Sequence, residues 1–344
     1  MRLPFFSTNT HHYSFPLFAT GIVHRPRWPR MNAALSFRRR HRRKDKVVVI
    51  MGATGTGKSR LSVDLATLFF PFFEIVNSDK MQVYNGLDIT TNKIPIEERN
   101  GVPHHLLGKF DPKNGELTPL EFRRIAGEVV ADITSRRKLP IVVGGSNSFI
   151  HALLVERFDP ELNVFDETSL TIVPELTQFR YECCFLWVDV SFPVLSDYLL
   201  KRVDDMLDSG MVDELAEFFD PETGDLEVDS ASPSGLRKAI GVAEFDRYLK
   251  EYPPPLGFRG CWEKEGENRM RNGAYEGAVR AIKDKTCHLA KRQIGKILRL
   301  KRAGWDLRRL DATAALSDGG RRSEIWEREV LEPSVKIVKL FMKE

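Results

Sequence analysis

The stretch Gly52-Ala53-Thr54-Gly55-Thr56-Gly57-Lys58-Ser59 has the residue types and spacing of a phosphate cradle, G-x-x-x-x-G-K-[ST]. Its glycines let backbone N–H groups turn inward on an anion. Lys58 adds a point charge, and Ser59 can hold Mg²⁺ beside the phosphates. Asp79 is the second candidate, because it follows the next apolar run after the loop. It could cap the following turn, as Asp commonly does. It could also hold Mg²⁺ through water or take a proton from a nucleophile. Position leaves both readings open, and these residues alone indicate a nucleotide or pyrophosphate enzyme. His104-His105 suggests a metal, but adjacent histidines diverge and no partner spacing supports a site, so a structural or substrate-facing role is expected.

These groups need rigid elements behind them. Val47-Val48-Val49-Ile50-Met51 reads as a buried strand feeding the loop, and Leu61, Val63, Leu65 and Leu68 as the helix that follows. Further strands are expected at 73–79, 140–145 and 184–190, with helices over 120–136, 146–154, 194–207, 211–219 and about 275–302. Such alternation predicts an α/β fold, a parallel sheet with helices on both faces. Ligands of these sheets gather at the C-terminal strand ends, which would bring Gly52 to Ser59, Asp79 and Gly144 to Asn147 to one rim. Cys183-Cys184 on a buried strand are expected to be core thiols. One domain is expected over 46–312, with a short insertion near 155–182 and a Pro/Gly-rich surface loop near 250–277, followed by a weakly patterned C-terminal tail over 313–344.

Charge divides this 344-residue chain. Residues 1–46 carry nine Arg and two Lys against one acid, Asp45, a net +10 within a chain of net +4. The remainder is therefore mildly acidic, at −6, which argues against DNA or a broad nucleic-acid face. A leader rich in Arg, Ser, Phe and His with no acid before Asp45 predicts a disordered transit peptide over 1–45, plastid first and mitochondrial as the alternative. The run Arg38 to Lys44 could instead be a nuclear or polyanion-binding patch. No run of about 18 apolar residues occurs, so no membrane span is expected. Four irregularly spaced cysteines fit neither a zinc pair nor a disulfide framework.

The wider string Asn77 to Lys93 resembles the signature of the isopentenyltransferase family. The resemblance continues through Pro103 to Gly108, Phe122-Arg123-Arg124, Gly144 to Ile150, Arg237 to Val242 and Leu289 to Gln293, covering about Lys46 to Leu300 in order. One branch of that family modifies adenine-37 of tRNA; the other prenylates free adenine nucleotides and makes cytokinins in plants. Only about 30 residues separate Phe149 from the strand at Cys183, too few for the helical insertion of the tRNA branch, and beyond Leu300 there is neither Cys nor His for its zinc finger. The resemblance thus implies the adenylate branch.

It also implies roles. The dimethylallyl group would move from dimethylallyl diphosphate to the N6 amine of ATP, ADP or AMP, releasing pyrophosphate. Asp79 would take the N6 proton, and Thr54 would lie near the bridging oxygen. The loop residues Gly52, Ala53, Thr54, Gly55, Thr56, Gly57, Lys58 and Ser59 would hold the donor's diphosphate, with Mg²⁺ on Ser59. Arg292 and Lys93 would reach the same phosphates, while Arg237 and Lys238 would bind those of the acceptor. A tRNA dimethylallyltransferase is the alternative. A small-molecule kinase, releasing ADP rather than pyrophosphate, shares only the loop and the acid.

Overall fold

The computed structural model describes residues 43–165, 177–219, 235–253, 269–317 and 322–344. The chain divides after Arg43, and every element below belongs to the unit beginning at Lys44. Most of the leader, the centre of the insertion and the centre of the Pro/Gly-rich loop lie outside the described residues.

Lys46–Met51 (β1) is apolar on both faces and becomes a central strand: Val47, Val49 and Met51 enter one core, Val48 and Ile50 the other. In chain order there follow α1 (Lys58–Leu68), β2 (Phe73–Asn77), β3 (His104–His105), α2 (Pro119–Ser135), β4 (Leu139–Val143), α3 (Asn147–Leu154) and β5 (Glu182–Asp189). Next are α4 (Phe192–Asp208), α5 (Met211–Phe218), α6 (Val242–Glu251), α7 (Arg269–Arg302), β6 (Leu307–Asp311), α8 (Thr313–Ser317), α9 (Arg322–Trp326), a π-helical turn (Glu327–Leu331) and α10 (Glu332–Lys343). The strands form one sheet in the order β3-β2-β4-β1-β5-β6, with every pairing parallel. This is the α/β architecture expected from the alternation of strands and helices.

Helix α2 shows how local sequence sets an element. Thr118 caps it in a reciprocal box with Glu121, Pro119 stands at its first turn, and Phe122, Ala126, Val130 and Ile133 form its buried stripe. Two strands had no expectation. β3 is two residues long, and β6 buries only Leu307 and Leu310, its exposed arginines concealing the pattern.

The residues from Thr313 on correct the expected weakly patterned tail. They are helical where described, and Trp326, Val330, Val338 and Phe341 join the core that also holds Leu61 and Leu65 of α1. Their spacings of four, eight and three are helical, but charged neighbours dilute the stripe.

The strand ends converge as the topology requires. Ser78 N–H donates to Val143 O at 2.8 Å, and a Cβ at Gly144 would lie 2.5 Å from the Ser78 backbone. Only glycine permits β2 and β4 to end in such close contact. Asp79 and the loop after β1 are thereby carried to the same rim.

Candidate active site

The loop leaves β1 and turns into α1 at Gly57, which adopts φ +89° and caps the helix without any side-chain hydrogen bond. The first-turn N–H groups of α1 are thus left for a ligand, at the positive end of the helix dipole. Thr56 Oγ1 braces the loop by donating to Ala53 O at 3.0 Å. Lys58 is buried and donates to the same carbonyl at 2.5 Å. Burial pulls its ammonium down to about 8, with Asp79 opposing and Arg202 adding to the fall. A cation held this way gains from an incoming anion. Ser59 is exposed at the cavity edge.

Asp79 uses its two oxygens differently. Oδ1 accepts from Met81 N–H at 2.9 Å and Gln82 N–H at 3.4 Å, which is the turn cap considered from sequence. Oδ2 faces Gly145, whose hydrogen leaves room: a Cβ there would sit 3.3 Å from it. The capping and chemical readings are therefore compatible.

Two further side chains build the site, and neither was assigned a role from sequence. Arg202 of α4 donates through Nη2 to Thr54 Oγ1 at 3.0 Å, while its Nε is buried with no partner among the described residues. Burial lowers its pKa, against Tyr198 and Asp79. Gln293 of α7 accepts from Thr54 N–H at 2.8 Å and donates to Gly145 O at 3.0 Å, tying the phosphate loop to the Gly-Gly turn. Arg202 did carry a signal. It follows Leu195 and Leu199 and precedes Val203, an arginine set in an apolar stripe.

Two cavities meet at these groups. One, of about 830 Å³, opens over Gly55, Gly57, Lys58 and Ser59 and reaches Lys93 and Arg99. The other, of about 490 Å³, is walled by Lys80, Ser146, Lys238, Ile282, Arg292 and Lys296. Thr54, Asp79, Gly145, Arg202 and Gln293 line both. Five cationic side chains line the second cavity against one acid, Asp79. Glu116 behind it pairs with Lys80 at 3.2 Å and with Lys238, and Lys238 chiefly holds its carboxyl below the usual range. Burial lowers the Lys296 ammonium, and Arg292 and Lys80 push it further. This cavity is built for an anion.

The expected residues separate as follows. Thr54, Asp79, Gly55, Gly57, Lys58 and Ser59 face the loop cavity, while Gly52, Ala53 and Thr56 are buried behind it. Lys93 lines it too, but its Nζ is held by Gly86 O at 2.6 Å and Asp88 at 2.8 Å. Arg292, expected at the donor phosphates, lines the Lys80 cavity. Lys238 lines that cavity as well, whereas Arg237 is exposed and lines neither. His105 bonds Glu74 at 2.8 Å and His104 bonds Val102 O at 2.8 Å, both structural. Among the described residues no cluster of three His, Cys, Asp or Glu could hold a metal, and no helix is long and apolar enough to cross a membrane.

A diphosphate over the loop and a second anion in the Lys80 cavity would meet at Asp79, Thr54 and Arg202. Such a site can transfer a group off a diphosphate onto a nucleophile whose proton a carboxylate removes.

The IPP transferase family pattern matches residues 82–170 and 156–296. The chain is 64% identical over 304 residues to an adenylate isopentenyltransferase of Humulus lupulus, covering 86% of this chain and 90% of that one. It is 56% identical over 308 residues to adenylate isopentenyltransferase 1, chloroplastic, of Arabidopsis thaliana, covering 88% and 82%. Among solved structures it is similar in fold to a eukaryotic dimethylallyltransferase acting on tRNA, with a TM-score of 0.64 and 24% identity over 87% of this chain and 80% of that one.

Proposed function

The chain belongs to the IPP transferase family, in its adenylate isopentenyltransferase branch, and from that premise we propose which of its residues transfer the dimethylallyl group to an adenine nucleotide. The donor's diphosphate lies in the loop cavity, on the N–H groups of the loop and α1 and on Lys58. The adenine nucleotide enters the Lys80 cavity, its phosphates toward Lys80, Lys238, Arg292 and Lys296. The observation that carries this reading is the position of Asp79 in the wall common to both cavities.

The N6 amine of adenine is a poor nucleophile, because its lone pair is delocalised into the ring. Asp79 Oδ2 accepts a hydrogen bond from N6 and takes its proton as the C–N bond forms. The C1–O bond of the donor breaks, and its electrons leave with pyrophosphate. Arg202 and Thr54 sit where that charge grows, beside Lys58. The Ser59 hydroxyl with diphosphate oxygens and water is a donor set that suits a hard cation, and Mg²⁺ held there would neutralise part of the leaving charge. Gln293 keeps the loop and the Gly-Gly turn in register during the step.

The five cations around the Lys80 cavity favour ATP and ADP over AMP. The mildly acidic body supports a free nucleotide rather than tRNA. The test is a product assay on the full chain with Mg²⁺, dimethylallyl diphosphate and, separately, AMP, ADP, ATP or unmodified tRNA. N6-prenylated nucleotide detected by mass spectrometry is the expected result; product from tRNA alone would overturn it. The Arg-rich leader, with a chloroplastic relative, supports a plastid address, which a fluorescent fusion would check against mitochondria.

A further inference from the structure

The C-terminal segment reaches the phosphate loop at Trp326. Trp326, at the end of α9, is 2% exposed. Its ring lies against Gly57: a Cβ built there would fall 2.6 Å from Cη2 and 2.8 Å from Cζ3. Its Nε1 donates to Asp64 Oδ2 at 2.8 Å, and the Arg60 guanidinium lies 4.7 Å from the ring centre. All three partners belong to the loop's last residue or the first two turns of α1. From behind, Trp326 shares a core with Val330, Val338 and Phe341.

This contact falls on a glycine at the junction of loop and helix. Gly57 holds φ +89°, a conformation available to glycine but costly in entropy to fix. Helix α1 has no side-chain cap to hold its first turn. An indole pressed on Gly57 and tethered to Asp64 supplies the missing restraint. We propose that Trp326 is a positioning residue for the diphosphate: it acts through Gly57, holding the loop-to-helix turn in its anion-binding conformation. The proposal rests on the reading that this loop binds the donor's diphosphate. It makes the C-terminal helices part of the catalytic unit rather than an appendage.

The test compares full-length wild type with Trp326→Phe, Asp64→Ala and Lys58→Ala. Phenylalanine is too short to reach Gly57 as the far indole ring does, and it loses the Nε1 bond. Donor and acceptor KM are measured separately, and inorganic pyrophosphate binding is followed by calorimetry. Trp326→Phe is expected to raise the donor KM and the pyrophosphate Kd about 5- to 20-fold, roughly 1–2 kcal/mol. The acceptor KM should stay within twofold. Asp64→Ala, which keeps the ring but cuts its tether, should shift the same two constants about 2- to 5-fold. A lower melting temperature in Trp326→Phe with both KM values unchanged would overturn the proposal, since a merely structural residue behaves that way. If Trp326→Phe fails to fold, wild-type donor constants in Asp64→Ala would overturn it equally. Wild-type pyrophosphate affinity in Lys58→Ala would remove the premise about the loop. Wild-type affinity in the Trp326 variant alone would overturn only the role of Trp326.

Discussion

Arg202 Nη2 donates to Thr54 Oγ1 across 3.0 Å, so a cation from α4 closes on the phosphate loop at the wall shared by both cavities. Lys58 approaches the loop from α1, and the two cations lie close enough for Arg202 to depress the Lys58 pKa. Both therefore need an anion. Arg202→Ala should lower kcat by about 10²–10³, the scale of removing one donor aimed at developing charge. Arg202→Lys should recover little, because an ammonium cannot keep Thr54 and also present a second fixed donor. Steady-state turnover decides, and retention of more than a tenth of wild-type kcat in Arg202→Ala would exclude the role.

Asp79 shows why the choice of substitution matters. Its Oδ1 caps Met81 and Gln82, so Asp79→Ala removes the proposed base and also releases the turn that carries Lys80. Asp79→Asn keeps an acceptor for the cap but cannot take a proton at neutral pH. The Asn variant should bind donor and acceptor within about threefold of wild type yet lose prenyl transfer, by about 10²–10⁴ in kcat. Single-turnover product formation checks this. Near-wild-type turnover in Asp79→Asn would remove Asp79 as the base.

The acceptor pair expected at 237–238 divides in the structure. Lys238 lines the Lys80 cavity and pairs with Glu116, whereas Arg237 is exposed and outside both cavities. Lys238→Ala should raise the KM for ATP about 5- to 10-fold, the loss of one charge-assisted contact, and change that for adenosine little. Arg237→Ala should leave both within twofold. Equal effects of Lys238→Ala on ATP and adenosine would place Lys238 away from the phosphates.

The legibility of this site follows the range of its interactions. The phosphate loop is eight consecutive residues between a strand and a helix, so its chemistry is written locally. Asp79 and the Gly144-Gly145 turn follow from strand ends and the rim rule. Arg202 joins them through the crossing of α4 over the loop: the apolar stripe around it marks a buried arginine, but not which loop it meets. Arg292 shows the same limit along a helix. Leu289, Arg292, Gln293 and Lys296 share one face of α7, and that face covers the Lys80 cavity. Which cavity a helix face meets is a tertiary fact. Trp326 and the C-terminal core escaped because charged residues interrupt their stripe.

His151 of α3 provides a test of stability that is independent of catalysis. It is 4% exposed, set among the Phe158, Phe165 and Trp305 rings, and its Nε2 is buried without a partner among the described residues. Burial, helped by the nearby Arg123 charge, lowers its pKa from 6.5 to about 4. A histidine that is harder to protonate in the folded state leaves the unfolded chain binding more protons below pH 6.5. The fold should therefore lose stability as pH falls from about 6.5 to about 4, and His151 adds no further loss below that. The full effect is about 3 kcal/mol, at roughly 1.4 kcal/mol per tenfold change. His151→Leu should flatten this part of the profile while leaving kcat at neutral pH unchanged. Urea unfolding at pH 7, 6, 5 and 4 measures both chains, and parallel slopes would show that His151 is not the titrating group.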